Sequence, residues 1–119
     1  MGLTLKQLAE ANIARGKQWV LPDAKERPGL LFSAVELSGE VGELCNAIKK
    51  WERLRLGMPG GLYDAENIAD ELADVLISVN LLAIKCEVDL EKAVIQKFNK
   101  TSRKHGFTVF LPEQETKDE

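Results

Sequence analysis

Apolar residues recur every three or four positions along most of the chain, the spacing that gathers them on one face of an α-helix. Four segments follow this pattern. Thr4 and Gln7 form a capping-box pattern before the first segment. Two aspartates, Asp64 and Asp89, stand where the third and fourth segments begin. The sequence therefore predicts four helices, over residues 5–19, 30–56, 65–85 and 90–104.

The stretches between these segments are short, charged or rich in glycine and proline, which is typical of loops. No strand-like alternation of useful length precedes residue 107. We expect an all-α fold, an antiparallel four-helix bundle protomer that forms a homodimer or a dimer of dimers, because helices with wide apolar stripes bury more surface by associating. A single domain is expected over residues 1–111, with its apolar end, 107–111, packed back on the bundle. Residues 112–119 are expected to be a charged, flexible tail.

Composition narrows the class of protein. The chain has 119 residues, of which 45% are hydrophobic, enough for the core of one domain. A net charge of -3 argues against binding of a nucleic acid polymer through bulk charge. We find no secretion signal and no apolar stretch of membrane-spanning length, so we expect a cytoplasmic protein without membrane contact. Cys45 and Cys86 have apolar neighbours in helical segments and are expected to be buried.

Acidic residues are clustered on the second and third predicted helices. Glu36, Glu40 and Glu43 are separated by four and three residues, so they share one side of the second helix. Glu71 and Asp74 are one turn apart on the third helix. Both clusters border the apolar stripe of their helix. If the two stripes pack together, the carboxylates converge on the rim of one groove, where like charges raise one another's pKa unless cations bind.

Two interpretations of these clusters are open. A solvated charged face, paired with lysines one turn away, is the ordinary role of a single cluster. Two clusters at the edges of adjacent helices favour a hard divalent cation, and Mg2+ prefers oxygen ligands completed by water and substrate phosphates. Gly39 and Gly42 lie between the glutamates, where glycine weakens a helix. They indicate close approach of another helix or of a ligand, with simple tolerance in a long helix as the alternative.

The run EVGEL at residues 40–44, followed by ELADVL at residues 71–76, resembles the MazG-like nucleotide pyrophosphohydrolases. These belong to the all-alpha NTP pyrophosphatase superfamily, whose signature is Glu-x-x-Glu on one helix and Glu-x-x-Asp on the next. The resemblance extends over about residues 5–107, nearly the whole chain.

This resemblance implies that Mg2+, with Mn2+ as a substitute, is bound by Glu40, Glu43, Glu71 and Asp74. Glu36 would join these ligands or act through a water. The implied reaction is hydrolysis of a nucleoside triphosphate between its α- and β-phosphates, which gives a nucleoside monophosphate and pyrophosphate. A glutamate would serve as general base, and its identity stays open. The resemblance also favours a dNTP substrate and a housecleaning role in the nucleotide pool.

Three basic residues are candidates for binding phosphate. Lys50 lies about two turns beyond Glu43 on the carboxylate side of the second helix. Its alternative role is to complement the negative end of the helix dipole. Lys97 and Arg103 on the fourth helix are similar to basic positions of relatives, although Thr101 stands where the family often has asparagine.

Trp19 and Asn12 are candidates for contacting the nucleoside. Trp19 would stack on the base, as aromatic residues from this region do in similar proteins, with core packing as the alternative. Asn12, about two turns earlier, would bond the base or sugar, or only add polarity to its helix. Asn80 interrupts an apolar run, so it would bond across a subunit interface or to a backbone group.

A second class of function stays open: a non-catalytic helical module for oligomerisation or nucleotide binding that keeps its acidic residues. Complete acidic pairs on both helices favour the enzyme, because a decayed relative would be expected to have lost at least one. A calcium sensor is disfavoured, since the sequence has no Asp-x-Asp-x-Asp-Gly loop.

Overall fold

The computed structural model describes residues 2–113, so Met1 and most of the predicted tail, residues 114–119, lie outside the described residues. Within that range the protein has four helices and no strand, which confirms the all-α prediction. None of these helices is both long and apolar enough to span a bilayer. The helices are α1 (Leu5–Gly16), α2 (Leu30–Leu56), α3 (Ala65–Lys85) and α4 (Leu90–His105).

Side-chain caps fix three of the four helix starts, as the sequence predicts. Thr4 Oγ1 accepts the backbone N–H of Gln7 at 3.0 Å, and the Gln7 side chain accepts the Thr4 N–H at 2.8 Å. Asp64 and Asp89 each accept a backbone N–H three residues on, at 3.0 and 3.1 Å. These bonds satisfy amides that have no partner inside the helix.

The end of α1 differs from the prediction. The helix stops at Gly16 rather than near Trp19, and a turn follows in which the Gln18 N–H donates to the Arg15 carbonyl at 2.9 Å. Glycine is a weak helix former, so the last turn is easily replaced by this tighter one. Trp19 therefore lies in the loop between α1 and α2 and not in a helix.

The helices pack in an open chain of neighbours, without a core common to all four. α2 packs along α3, α1 packs on α3, and α4 packs chiefly against α1. Among the described residues, the buried hydrophobic side chains are two alanines, Ala47 and Ala83. The apolar stripes of α2 and α3, which the sequence predicts to pack together, are partly exposed. Their exposed members include Val41, Ile48, Trp51, Leu72 and Leu76.

The prediction that the two cysteines are buried is wrong. Cys45 and Cys86 are both exposed free thiols. Apolar neighbours along a helix bury a residue only if a further element covers that face, and within the described chain no element covers these. Gly39 and Gly42 are likewise not covered by another part of the described chain, because a Cβ on either would have no non-local atom within 4 Å. The close approach expected at these glycines is therefore not made by the chain itself.

Buried amide groups join parts of the chain that the apolar contacts leave open. Asn12 Nδ2 donates to Asn80 Oδ1 at 3.0 Å, and Asn80 Nδ2 donates to the Leu5 carbonyl at 3.3 Å, which fixes α1 on α3. Asn80 thus follows the second of its two predicted roles, bonding within its own chain. Asn99 on α4 bonds both the N–H and the carbonyl of Leu111, at 2.8 and 2.9 Å. This pins residues 107–111, which we name the C-terminal strap.

Candidate functional site

Three glutamates from α2 and α3 meet where the two helices pack together. One carboxylate oxygen from each of Glu40, Glu43 and Glu71 lies within 4.8 Å of the other two. Glu40 and Glu71 are half-buried and Glu43 is exposed. The spacing on α2 and the antiparallel packing of α3 bring them together, as the sequence predicts.

The electrostatics of this cluster disfavour negative charge. The pKa of Glu40 is raised, first by desolvation and then by the charges of its acidic neighbours, Glu43 before the others. The pKa of Glu71 is raised first by desolvation and then by the charges of Glu43 and Asp74. Both groups therefore bind a proton more readily than an isolated glutamate, unless a cation replaces it.

Two oxygens in the cluster have no partner. Glu40 Oε2 and Glu71 Oε2 are buried and accept no hydrogen bond within the described chain. A buried polar atom without a partner is costly, so such atoms are rare in native proteins. An all-oxygen donor set with two unpartnered atoms suits a hard divalent cation such as Mg2+. The residues present thus fit the metal that the acidic clusters predicted.

The two other predicted acidic residues border this group. Asp74 is outside the set of three, but its charge raises the pKa of both Glu40 and Glu71. Glu36, one turn before Glu40, is exposed and also raises the pKa of Glu40. Asp74, Glu36 and Glu40 all line a neighbouring cleft. Glu40 is therefore common to the carboxylate cluster and the cleft.

The cleft has a volume of about 760 Å³ and extends from the carboxylates along the N-terminal half of α2 and the C-terminal half of α3. The end of α1 and the loop after it form its other side. From Asp74 to Lys85 the α3 wall spans roughly 16 Å, given the rise of a helix. Clefts of this volume bind small organic ligands.

Both predicted nucleoside contacts line the cleft. Trp19 is 78% exposed, so its ring is not part of a core within the described protomer. Asn12 is buried on α1, where its Nδ2 donates to Asn80 Oδ1 and more weakly to the Ile77 carbonyl at 3.4 Å. Its amide nitrogen is therefore already bonded within the chain.

The predicted phosphate-binding lysine and arginine residues are more dispersed. Lys50 is half-buried on α2, and its carbonyl accepts the Leu62 N–H at 3.0 Å, so the loop after α2 packs beside it. Lys97 and Arg103 lie exposed on α4. Within residues 2–113, no residue of α4 lines the cleft. The protomer thus does not bring Lys97 and Arg103 to the cleft, and Lys50 does not line it either.

Other residues of the cleft were not predicted from the sequence, and four of them are basic. One signal was available on α3, because Asp74, Ile77, Ser78, Leu81 and Lys85 follow helical spacing and share one face. The loop between α1 and α2 gave no such signal, since its direction depends on tertiary structure. The missed lining residues include Arg15, Lys17, Arg27, Lys85, Phe32, Ser33 and Ser78.

Comparison with known proteins adds one match. The family model of the MazG nucleotide pyrophosphohydrolase domain matches residues 33–108, which include the whole carboxylate cluster and most of the helical chain. A search of curated proteins found no match.

Proposed function

The chain belongs to the MazG nucleotide pyrophosphohydrolase family, and on that premise we propose that it is a Mg2+-dependent hydrolase of nucleoside triphosphates. It cleaves between the α- and β-phosphates and releases a nucleoside monophosphate and pyrophosphate. One observation carries the proposal: three carboxylates with two unpartnered buried oxygens border a cleft of about 760 Å³. A dNTP substrate and a housecleaning role in the nucleotide pool complete the proposal.

Glu40, Glu43, Glu71 and Asp74 would hold Mg2+, for which Mn2+ can substitute because it also takes oxygen ligands. When bound, the metal neutralises phosphate charge and lowers the pKa of a coordinated water. Glu36 is one turn from Glu40, lines the cleft and lies outside the group of three carboxylates. We propose Glu36 as the general base that accepts a proton from the attacking water.

The remaining cleft would bind the rest of the nucleotide. Trp19 stacks on the base through its exposed ring, and Asn12 offers its amide oxygen to the base or sugar. Lys50 is not among the residues that line the cleft; it lies about two turns beyond Glu43 on α2 and would contact phosphate at the carboxylate cluster. Lys97 and Arg103 require a second copy of the chain to reach the site, since α4 lines no part of the cleft in its own protomer.

A homodimer or a dimer of dimers is part of this proposal, and the surface area supports it. The chain exposes 9712 Å², whereas a compact monomer of 13.2 kDa is expected to expose roughly 6,400 Å². The excess of roughly 3,300 Å² is more than the roughly 1,000–2,500 Å² that each partner contributes to a typical obligate interface. One large interface or two smaller ones per chain would bury this area, so both a homodimer and a dimer of dimers fit it.

Hydrolysis of a panel of NTPs and dNTPs with Mg2+ tests the proposal, with pyrophosphate and monophosphate measured together. We expect equal amounts of both products, no turnover in EDTA, and a loss of more than about 100-fold in Glu43→Ala, because even groups that only orient metal ligands are worth 10–100-fold. Glu52→Ala is the matched control, because Glu52 lies on the same helix and pairs with Arg55 outside the site.

The proposal would be contradicted if the protein hydrolysed no nucleotide of the panel, or if Glu43→Ala and wild type hydrolysed nucleotides at equal rates. Calorimetry with a non-hydrolysable triphosphate then separates the alternatives. Binding without hydrolysis indicates a nucleotide-binding module, and absence of binding indicates a module for oligomerisation alone.

A further inference from the structure

The C-terminal strap, residues 107–111, is fixed to the protein by its backbone while its side chains are left uncovered. Gly106 is in the left-handed region, with φ of 69°, and the Phe107 N–H donates to the Ser102 carbonyl at 2.8 Å. At the other end Asn99 bonds both polar groups of the Leu111 backbone. The strap is therefore pinned at Phe107 and at Leu111, four residues apart along the chain.

The side chains between these points do not pack on the protomer. Phe107, Val109 and Phe110 are 59%, 65% and 48% exposed. From the sequence we expect this apolar segment to pack back on the bundle, and only its backbone does so. An ordered segment that exposes three large apolar side chains is unlike a solvated loop, whose side chains are mainly polar.

The adjoining side of α4 is exposed in the same way. Val94 and Phe98 are one turn apart and are 44% and 43% exposed, because α4 packs chiefly against α1. Together the two α4 residues and the strap form an apolar surface separate from the one on α2 and α3. We name this surface the α4–strap patch; it consists of Val94, Phe98, Phe107, Val109 and Phe110.

We propose that the α4–strap patch docks on a second copy of this chain, with Asn99 as the residue that positions the strap. The inference rests on the assembly part of the proposed function. It names a surface for that assembly other than the apolar face of α2 and α3. The chain exposes more area than a compact monomer of its mass, and the α4–strap patch is separate from the apolar face of α2 and α3, so a second copy is the occupant that we assign to it.

Charge complementarity supports the same occupant. α4 carries five basic residues and one acidic residue, a net +4, whereas α3 carries four acidic residues and one basic residue, a net -3. Two α4 helices facing each other would repel, and the acidic side of another copy would attract α4. The patch therefore meets a different region of the second copy rather than its own equivalent.

Light scattering and sedimentation over a range of protein concentrations test the proposal on the full chain. Relative to wild type, Val109→Ser/Phe110→Ser should raise the dissociation constant of one assembly step at least about tenfold. The variant lacks two large apolar side chains whose burial would stabilise the interface. Leu3→Ser is the control, since Leu3 is similarly exposed, at 71%, before α1. Circular dichroism should show unchanged helix content in both variants, because neither site lies in a helix.

Hydrogen exchange of the wild-type protein gives a second measurement that needs no substitution. Amides of residues 108–110 should be protected in the assembled protein and should lose protection on dilution, and Asn99→Ala should lose it at all concentrations. An unchanged dissociation constant in Val109→Ser/Phe110→Ser, or an equal loss in Leu3→Ser, would overturn the role of the strap alone. A monomeric wild-type protein would overturn the assembly as well. Hydrolysis is measured separately, so either result is distinguishable from failure of the proposed hydrolase, which would show as absence of turnover.

Discussion

Asn80 and Glu71 lie nine residues apart on α3, and both bring polar atoms into the interior, but their surroundings differ. The Asn80 side chain is 2% exposed and makes hydrogen bonds to Asn12 and to the Leu5 carbonyl. The Glu71 Oε2 atom is buried with no partner and lies among other carboxylates. A buried polar group whose bonds are made within the chain stabilises the fold, and one without a partner indicates a ligand. The first kind fixes α1 on α3 here, and the second marks the candidate site.

The largest effect is expected at the unpartnered oxygens, where stability and activity should change in opposite directions. Glu71→Gln removes a charge from the cluster, so turnover should fall by more than about 100-fold as a metal ligand is lost. In EDTA the same variant should have a higher Tm than wild type, because burial and like charges no longer oppose folding.

Pyrophosphate release and thermal melts at one protein concentration measure both changes. Glu52→Gln is the control with the opposite expected effect on Tm, because the pKa of Glu52 is lowered by its hydrogen bond to Arg55. Its Tm should not rise and its turnover should be retained. A lower Tm for Glu71→Gln in EDTA would show that the carboxylate is structural and would remove the distinction between the two kinds of buried group.

The next effect is expected at the satisfied amides. Asn80→Ala leaves the Asn12 amide and the Leu5 carbonyl without their partner, which should lower the free energy of unfolding by roughly 1–3 kcal/mol. Urea denaturation at a fixed protein concentration measures it. In Asn12→Ala/Asn80→Ala the loss should be smaller than the sum of the single losses, since the two residues share one bond. Additive losses would mean that the amide pair does not act as a unit.

The pH dependence of stability sharpens the same comparison. The pKa values of Glu40 and Glu71 are raised in the folded protein, so in EDTA the folded state binds more protons than the unfolded state between the ordinary and the raised values. Their contribution to stability is therefore present at acid pH and is lost as pH rises through this window. The Tm difference between Glu40→Gln and wild type should grow over that rise and be restored towards zero by Mg2+. A difference that is independent of pH would contradict the assigned cause.

The sequence predicted the helix starts and the acidic cluster because both depend on residues close together in the chain. Asp64 caps α3 through Asn67, three residues on, and Glu40 and Glu43 share a helix side through their spacing alone. The exposure of Cys45 could not be predicted in this way, because an apolar stripe does not show whether another part of the chain covers it. The cleft wall at Arg27 was missed because the direction of its loop is set by tertiary packing.

The smallest effect is expected at a glutamate that is neither buried nor paired with the cluster, Glu87. It follows α3 with φ of 56°, in the left-handed region where α2 and α4 are followed by Gly57 and Gly106. Side chains other than glycine are disfavoured there by roughly 1 kcal/mol, so Glu87→Gly should raise the free energy of unfolding by up to about that amount. Urea denaturation measures the gain, and pyrophosphate release should stay at the wild-type rate. At Glu71 the gain in stability accompanies loss of turnover, whereas at Glu87 it should not. Loss of turnover in Glu87→Gly would therefore weaken the argument that an unpartnered carboxylate, rather than any destabilising glutamate, marks the site.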